Sequence, residues 1–247
     1  MTMTGNTILV TGGASGIGLA LAKRFSARGN TVILAGRRAE ALAKAKHAEP
    51  KFHTLTADVS TEAGRIALAG AARAQFPALN MLVNNAGIQQ RPAPLTQAQD
   101  WSAHKAEIGT NLEAPVHLSM LLIPHFLKAP SAAIINVTSG LAFVPIAFMP
   151  TYCLTKAALH SFSQTLRHQL RDTPIGVIEI APPAVNTDLG GPGLHTFGVD
   201  VDAFADHCFV MMDKGAVEFG YETSEARRVS GFQEREQAFA QMNATRT

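Results

Sequence analysis

Six short runs of apolar residues, separated by longer helical stretches, constrain the fold of this 247-residue chain more than any other feature. The runs are rich in Val, Ile and Leu and lack polar alternation, which is typical of strands buried on both faces of a parallel sheet. A weaker seventh run follows near the C-terminus. The candidate strands cover 7–12, 31–36, 52–59, 79–87, 132–139, 176–183 and 216–221. Their alternation with helices predicts βαβ units in one α/β domain that spans 1–247.

Glycine and proline residues set the expected ends of the helical stretches. The amphipathic segment 16–29 ends at Gly29, a favourable residue just beyond a helix C-terminus. Residues 96–128 are predicted to form two helices, with a break at Pro115 and a second interruption at Pro124.

Two segments interrupt the regular alternation of strands and helices. Residues 89–101 are polar and contain prolines, and residues 186–201 are rich in glycine but carry apolar side chains. Because both segments follow strands, we expect them at the carboxyl edge of the sheet, where ligands bind in open parallel sheets. The second segment is predicted to begin a lid over about 186–213. The last residues, about 222–247, are predicted to form a polar helical tail.

Composition excludes several classes of function. The chain has 21 Lys and Arg against 19 Asp and Glu, and a net charge of +2 is too small to favour nucleic acid or a membrane surface. Its nine histidines show no metal-ligand spacing, so no metal site is predicted. Cys153 and Cys208 form no disulfide framework. With neither a signal-peptide pattern nor an apolar run approaching the roughly 18 residues of a membrane span, the sequence favours a cytoplasmic protein.

The first apolar run leads into the glycine-rich sequence TGGASGIG, residues 11–18. A strand, a glycine turn and a helix in this order present backbone N–H groups and the positive helix end to an anion. Gly12 permits a sharp turn, while Gly16 and Gly18 omit side chains that would block a pyrophosphate or hold the helix off the sheet. The motif predicts a nucleotide site formed by Gly12, Ser15, Gly16, Ile17 and Gly18.

The end of the second strand bears on the choice of cofactor. An acidic residue at this place binds the free ribose 2′-hydroxyl of NAD(H), but the sequence AGRR at 35–38 offers no carboxylate. Two arginines at the start of the next helix oppose its dipole, and a bound phosphate would relieve that repulsion. Arg37 and Arg38 therefore favour NADP(H) over NAD(H), although two solvated surface arginines would give the same sequence.

Tyr152 and Lys156 are four positions apart in the segment 150–172, which is predicted to form one long helix. Positions four apart lie on the same face of a helix, so the two side chains project together. A nearby ammonium stabilises a phenolate and lowers the pKa of the phenol, and Lys156 has further donors for ribose hydroxyls. The pair predicts Tyr152 as a proton donor, with Lys156 tuning it and holding the cofactor.

With these residues, the sequence resembles the short-chain dehydrogenase/reductase family in its compact form. The resemblance covers nearly the whole chain and rests on TGGASGIG at 11–18, NNAG at 84–87, Asn111, Ser139, Tyr152 and Lys156. It implies a single doubly wound Rossmann domain with a seven-stranded parallel sheet flanked by helices. It also implies a nicotinamide cofactor and hydride transfer between carbonyls and alcohols.

The resemblance also implies roles at matched positions. Ser139 would bind and orient the substrate oxygen, and Asn111 would hold a water on a proton path from Lys156 at a helix kink. Further cofactor contacts are implied for Asp58, Val59, Asn85, Ala86, Gly87, Pro182, Val185 and Thr187. Pro183 replaces the usual glycine of the family, which stiffens the turn at the nicotinamide and removes an N–H.

The remaining pocket is predicted to be mostly apolar, which favours a hydrophobic or mid-sized carbonyl or alcohol over a polyanion. Its predicted residues are Gln89, Gly140, Leu141, Val144, Pro183, Leu189 and Phe197. The leading hypothesis is an NADPH-dependent carbonyl reductase or alcohol dehydrogenase. The alternatives are a reductase of a C=N bond or a sugar-like substrate, and a catalytically silent NADP-sensing protein.

The C-terminal sequence also bears on the expected assembly. The tail lacks the glycine-rich strand with which many members of the family associate, so a homodimer through the helices near 103–125 and 152–171 is expected, with a tetramer as the alternative.

Overall fold

Seven parallel strands form one sheet in the computed structural model, which describes residues 2–98 and 100–244. The strands are β1 (Thr7–Thr11), β2 (Thr31–Gly36), β3 (His53–Thr56), β4 (Leu79–Asn84), β5 (Ala132–Val137), β6 (Ile175–Ala181) and β7 (Glu218–Gly220). Their order is β3-β2-β1-β4-β5-β6-β7, and this confirms the predicted seven-stranded parallel sheet. The order reverses between β1 and β4, and a reversal of this kind opens a ligand-binding crevice at the carboxyl ends of the strands.

Helices cover both faces of this sheet. They are α1 (Gly16–Ala27), α2 (Ala39–Ala48), α3 (Glu62–Gln75), α4 (Trp101–Ile108), α5 (Ala114–Phe126), α6 (Pro150–Gln169), α7 (Val201–Asp213), α8 (Thr223–Val229) and α9 (Phe232–Asn243). One core layer packs α1, α2 and α7 against the sheet, and the other packs α3, α5 and α6. Leu9 packs in the second layer and the next residue, Val10, in the first, and both are fully buried, which explains the lack of polar alternation. None of the helices in the described part of the chain has the length and apolar character that a membrane span requires.

The connection between β4 and β5 departs from the sequence prediction at one proline. Pro115 lies in the first turn of α5, where its missing N–H costs little. The interruption predicted at Pro124 is wrong, because α5 continues through that residue to Phe126. Pro124 deprives the carbonyl of Met120 of its helical donor, but Met120 lies on an exposed face, where water can replace it.

The polar tail predicted over about 222–247 contains α8 and α9, and its last three residues lie outside the described part of the chain. Both helices are fastened at the carboxyl edge of the sheet. The Ser224 hydroxyl donates to the carbonyl of Ala181 at 2.7 Å, at the end of β6. At the far end of α9, Asn243 Oδ1 accepts a hydrogen bond from the N–H of Ala147 at 2.7 Å. The tail therefore forms part of the wall around the crevice.

Candidate active site

A cleft of about 1580 Å³ follows the carboxyl edge of the sheet from the end of β2 to the start of α6. Most of the residues predicted from the sequence line it. They are Gly12, Ser15, Gly16, Ile17, Arg37, Arg38, Asp58, Val59, Asn85, Ala86, Gly87, Gln89, Ser139, Leu141, Tyr152, Lys156, Pro182, Pro183, Val185, Thr187, Leu189 and Phe197. Residues that are distant in the sequence are thus brought to a single surface.

Four predicted residues, Gly18, Asn111, Gly140 and Val144, do not contribute to this lining. Gly18 packs α1 against the neighbouring turn, because a Cβ there would lie 2.4 Å from Nδ2 of Asn85. Asn111 is buried behind the cleft. Gly140 and Val144, which are predicted in the substrate pocket, lie behind this lining: α8 covers Gly140, and the side chain of Val144 is buried in the protein.

The glycine turn between β1 and α1 is shaped for close approach of another molecule. Gly12 and Gly16 have φ of 64° and 53°, a left-handed conformation that favours glycine. Asn85 Nδ2 donates to the carbonyls of Thr11 and Gly12 at 3.0 and 3.2 Å, and so joins this turn to the end of β4. Ser15 at the N-terminus of α1 makes no capping bond with its side chain, and the first turn has no acidic residue. These residues fit the pyrophosphate of a dinucleotide, since open N–H groups and a positive helix end favour an anion.

The end of β2 supplies cationic side chains at one end of the cleft. Arg38 donates to the hydroxyl of Ser15 at 3.3 Å, which joins this end of the cleft to the glycine turn. Both side-chain hydrogen bonds to Asp58, from the N–H and the hydroxyl of Ser60, fall on Oδ1. These bonds, helped by the charge of Arg37, hold the pKa of Asp58 below its usual value. This end of the cleft therefore carries two cationic side chains beside an ionised carboxylate.

Tyr152 lies in the first turn of α6 with its ring almost wholly buried. Its ring belongs to an apolar cluster with Met149 and Leu189. Burial raises the pKa of Tyr152 well above its usual value, and the side chain of Ser139 opposes that shift. The net shift is opposite to the lowering expected from Lys156, because burial is the largest cause.

Lys156 is also buried, one turn further along α6. Its Nζ donates to the carbonyl of Val137 at 2.9 Å, at the end of β5. Burial lowers the pKa of Lys156 to about 8, while the negative charges of Glu107 and Glu179 oppose that shift. The side chain is therefore held in place one helical turn from Tyr152. Its remaining N–H donors are available to a ligand.

Asn111 occupies a π-helical segment, Gly109–Glu113, between α4 and α5. Its Oδ1 accepts from the N–H of Ile88 at 2.9 Å, and its Nδ2 donates to the carbonyl of the same residue at 2.8 Å. Nδ2 also lies 3.3 Å from the hydroxyl of Thr155 on α6. Asn111 thus joins the loop after β4 to the helix that carries the tyrosine and the lysine.

A second polar group lies behind the end of β5. The buried Glu179 accepts from the hydroxyl of Thr138 at 2.8 Å and lies 2.9 Å from Nδ1 of His160. The pKa of His160 is raised, chiefly by this bond to Glu179. Glu218 is also close to the pair, but it already has an ion pair with Arg167. The group is accounted for by partners within the protein, and it supports the strand end that carries Ser139.

The segment 186–198 forms a loop closed at its base. The N–H of Asn186 donates to the carbonyl of Val199, and the N–H of Val199 donates to the carbonyl of Ala184, each at 2.9 Å. Leu189 of this loop and Met242 of α9 both pack on the cluster around the tyrosine ring. The loop and the C-terminal helix therefore enclose the cleft from two sides.

The sequence and the fold were compared with known proteins. A sequence model of the family described as short chain dehydrogenase matches residues 6–194. This chain belongs to the short-chain dehydrogenases. It is 46% identical over 98% of both chains to an uncharacterized oxidoreductase of Bacillus subtilis, DltE. It is 34% identical over 72% of both chains to a protein of Salmonella typhi named NADP-dependent 3-hydroxy acid dehydrogenase. A short-chain dehydrogenase of Sphingobium yanoikuyae, solved in complex with NADPH, superposes with a TM-score of 0.81 at 26% identity and 98% coverage of both chains.

Two residues of this short-chain dehydrogenase that the sequence analysis missed lie beside the predicted site. Glu107 is buried one turn before Asn111 on the same helical path, and its Oε1 accepts from the N–H of Gln90 at 3.0 Å. Its spacing of four positions from Asn111 was the only available signal. Arg227 on α8 lines the cleft, but in the sequence it is indistinguishable from the neighbouring Arg228.

Proposed function

We propose that this short-chain dehydrogenase is an NADPH-dependent oxidoreductase that interconverts a carbonyl and an alcohol. The observation that carries the proposal is that Ser139, Tyr152 and Lys156 line the same wall of the cleft. Two hydroxyl groups that line one cleft can together hold a carbonyl oxygen. A glycine turn that fits a dinucleotide lies in the same cleft.

Each residue has its own role in the proposed reaction. A bound nicotinamide supplies the hydride. Ser139 orients the substrate oxygen, and Tyr152 donates its phenolic proton to that oxygen as the alcohol forms. A buried phenol stays protonated, which suits it to act as the acid in reduction. Lys156 would hold the ribose of the cofactor and stabilise the phenolate, and Asn111 would support the path by which the proton is replaced.

Removing one hydroxyl tests this proposal directly. Tyr152→Phe should lower kcat for reduction of a panel of aldehydes and ketones by about 10²–10⁴-fold, because a general acid contributes a factor of that size. The Kd for NADPH, measured by fluorescence, should change little, since the ring remains in place. Tyr221→Phe is the matched control, since the chain has only two tyrosines and Tyr221 does not line the cleft.

The outcomes of this experiment separate the alternatives. Full activity in Tyr152→Phe would refute the assigned proton donor. Tight NADPH binding by the wild type with no turnover across the panel would instead favour the NADP-sensing protein.

We infer NADP(H) as the cofactor from the arginines at the end of β2. Neither Arg37 nor Arg38 has an ion pair among the described residues. The Salmonella typhi relative named as NADP-dependent and the Sphingobium yanoikuyae structure with NADPH support the same choice. A guanidinium matches the geometry of a 2′-phosphate, which NADH lacks.

The cofactor choice has its own test. Arg37→Ala should weaken NADPH binding by about 1–3 kcal/mol, the value of a charged hydrogen bond, and leave NADH binding nearly unchanged. Fluorescence titration with both cofactors measures this. Arg171→Ala, two residues beyond the end of α6 and outside the cleft, controls for the lost charge. An equal loss for both cofactors would overturn the assignment of Arg37 to the 2′-phosphate.

We further propose a single domain over 1–247, with residues 186–213 as a lid. The closed base of the loop and the packing of Leu189 near Tyr152 support this role. We also propose a homodimer through α5 and α6. Met120 and Leu154, large apolar side chains on these helices, are 62% and 56% exposed.

A further inference from the structure

Arg227 on α8 lines the cleft next to the turn that follows Ser139. Its helix α8 is fixed by the bond from Ser224 to Ala181. A Cβ built on Gly140 would lie 3.6 Å from Nη1 of Arg227. Gly140 directly follows Ser139, the residue proposed to hold the reacting oxygen. A positive charge thus lies close to the place where a substrate would bind.

This guanidinium differs from its neighbour because it has no partner of opposite charge. Arg228 bonds Glu225 at 2.7 Å and lies 3.4 Å from Glu218. Within residues 2–98 and 100–244, no carboxylate pairs with Arg227 and no hydrogen bond from its side chain is present. Asp188 lines the same cleft without pairing with it.

Arg227 is half-buried rather than free in solvent. Burial lowers the pKa of Arg227 and no acidic group opposes that shift. A charge that is partly removed from water without a partner is unfavourable. Such a cation in a binding cleft is stabilised when a ligand brings the opposite charge.

Two further polar groups in the cleft lack partners. Oε1 of Gln89 and Nδ1 of His195 are buried without a hydrogen bond, and both residues are less than a tenth exposed. Both side chains belong to residues that line the cleft, as does Arg91. The surrounding side chains, such as Leu189 and Met242, are apolar. The cleft thus combines an apolar wall with a few unsatisfied polar groups, which is typical of a small-molecule site.

We propose that Arg227 binds a carboxylate of the substrate, so that the enzyme acts on oxo acids and the corresponding hydroxy acids. The planar fork of a guanidinium donates two parallel bonds to a carboxylate, which fixes the orientation of the bound acid. Arg227 is then a specificity-determining residue that sets which carbonyl lies beside Ser139. The proposal rests on the proposed function, because it names the substrate class of the same site.

The test compares acids with their uncharged esters. Rates of NADPH oxidation are measured with 2-oxo and 3-oxo acids, including pyruvate and acetoacetate, and with their methyl esters. In the wild type, kcat/KM for at least one acid should exceed that of its ester. Arg227→Met, which keeps the apolar stem, should lower kcat/KM for the acid by about ten- to a hundred-fold, the range of a charged hydrogen bond, and leave the ester unchanged.

Two variants control for charge and for folding. Arg227→Lys keeps the charge but loses the fork, so it should retain part of the preference for the acid. Arg171→Met removes the same charge at an exposed position on the α6 end of the molecule, and should keep the full preference. The proposal is overturned if the ratio of acid to ester is the same in the wild type and in Arg227→Met.

A binding measurement separates this proposal from the proposed function. Calorimetric titration of the NADP⁺-loaded enzyme with the same oxo acids should show saturable binding that Arg227→Met weakens at least tenfold. If no carbonyl compound is reduced but this weakening is seen, the carboxylate site stands and the proposed reaction fails. If ketones are reduced but neither binding nor turnover of acids depends on Arg227, the reaction stands and the carboxylate site is refuted.

Discussion

Among single residues, Glu107 carries a charge that acts on both members of the proposed catalytic pair, Tyr152 and Lys156. Burial raises the pKa of Glu107, while the N–H of Gln90 and the charge of Lys156 oppose that shift. Glu107 in turn opposes the lowering of the lysine pKa, which burial takes to about 8. The carboxylate therefore helps to keep the ammonium charged near neutral pH.

This coupling predicts a shift in the pH profile. In Glu107→Gln the negative charge is lost, so the pKa of Lys156 should fall further below about 8. Activity that needs the ammonium should then decline at lower pH than in the wild type, and kcat measured across this range reports the shift. The glutamine can still accept from Gln90. Glu40→Gln on the exposed side of α2 makes the same charge change, and an alkaline limb that is identical in all three proteins would rule out the coupling.

The sequence predicts residues of the site well where a backbone constraint selects them. Gly12 needs a left-handed φ, and only glycine fits against Asn85, so the turn is recognisable from the amino-acid sequence alone. Glu107 and Arg227 cannot be found in this way. Glu107 matters because it is buried, and Arg227 because it has no partner of opposite charge among the described residues, and only the fold shows either property. The direction of the Tyr152 pKa is missed for the same reason.

At the scale of secondary structure, the strands were the easiest elements to predict. A strand buried on both faces, such as β5, must be apolar at nearly every position, and all six of its residues are buried. The weak candidate over 216–221 is β7, at only three residues. The edge position of β7 explains its weak signal, since it has one neighbouring strand instead of two.

Helix irregularities were harder to predict than helices. The π-helical segment Gly109–Glu113 depends on contacts made by Asn111 with the loop after β4 and with α6, both remote in sequence. Pro124 illustrates the opposite error, since a proline near the end of α5 is tolerated where its freed carbonyl faces water. In both places tertiary surroundings, rather than local propensity, decide the backbone.

The structural roles of the C-terminal tail and of the glycine-rich loop depend on their contacts with the rest of the protein. The polar composition of 222–247 predicts helices but not the bonds that hold α8 to Ala181 and α9 to Ala147. Likewise, the loop over 186–198 is closed by bonds between residues on either side of it. The position of Arg227 over the cleft follows from these contacts.

For the whole molecule, the cleft and the proposed interface lie on different surfaces. The carboxyl edge holds the cleft, whereas the layer of α3, α5 and α6 has apolar side chains on its outer surface. Met120 on α5 and Leu154 on α6 are examples. An isologous interface would bury each of these side chains twice, once on each copy. A second copy of the chain bound at this surface would hold the layer, and with it the cleft, in place.

The proposed homodimer predicts that one charge disrupts the assembly. Leu154→Glu should convert the dimer to a monomer, because the two-fold axis brings two carboxylates into an interface that excludes water. Light scattering coupled to size-exclusion chromatography measures the mass. Val210→Glu on α7, in the opposite layer, is the matched control, since its residue is 49% exposed, close to the 56% of Leu154. A wild-type monomer, or a Leu154→Glu protein that keeps the mass of the wild type, would show that this surface does not form the interface.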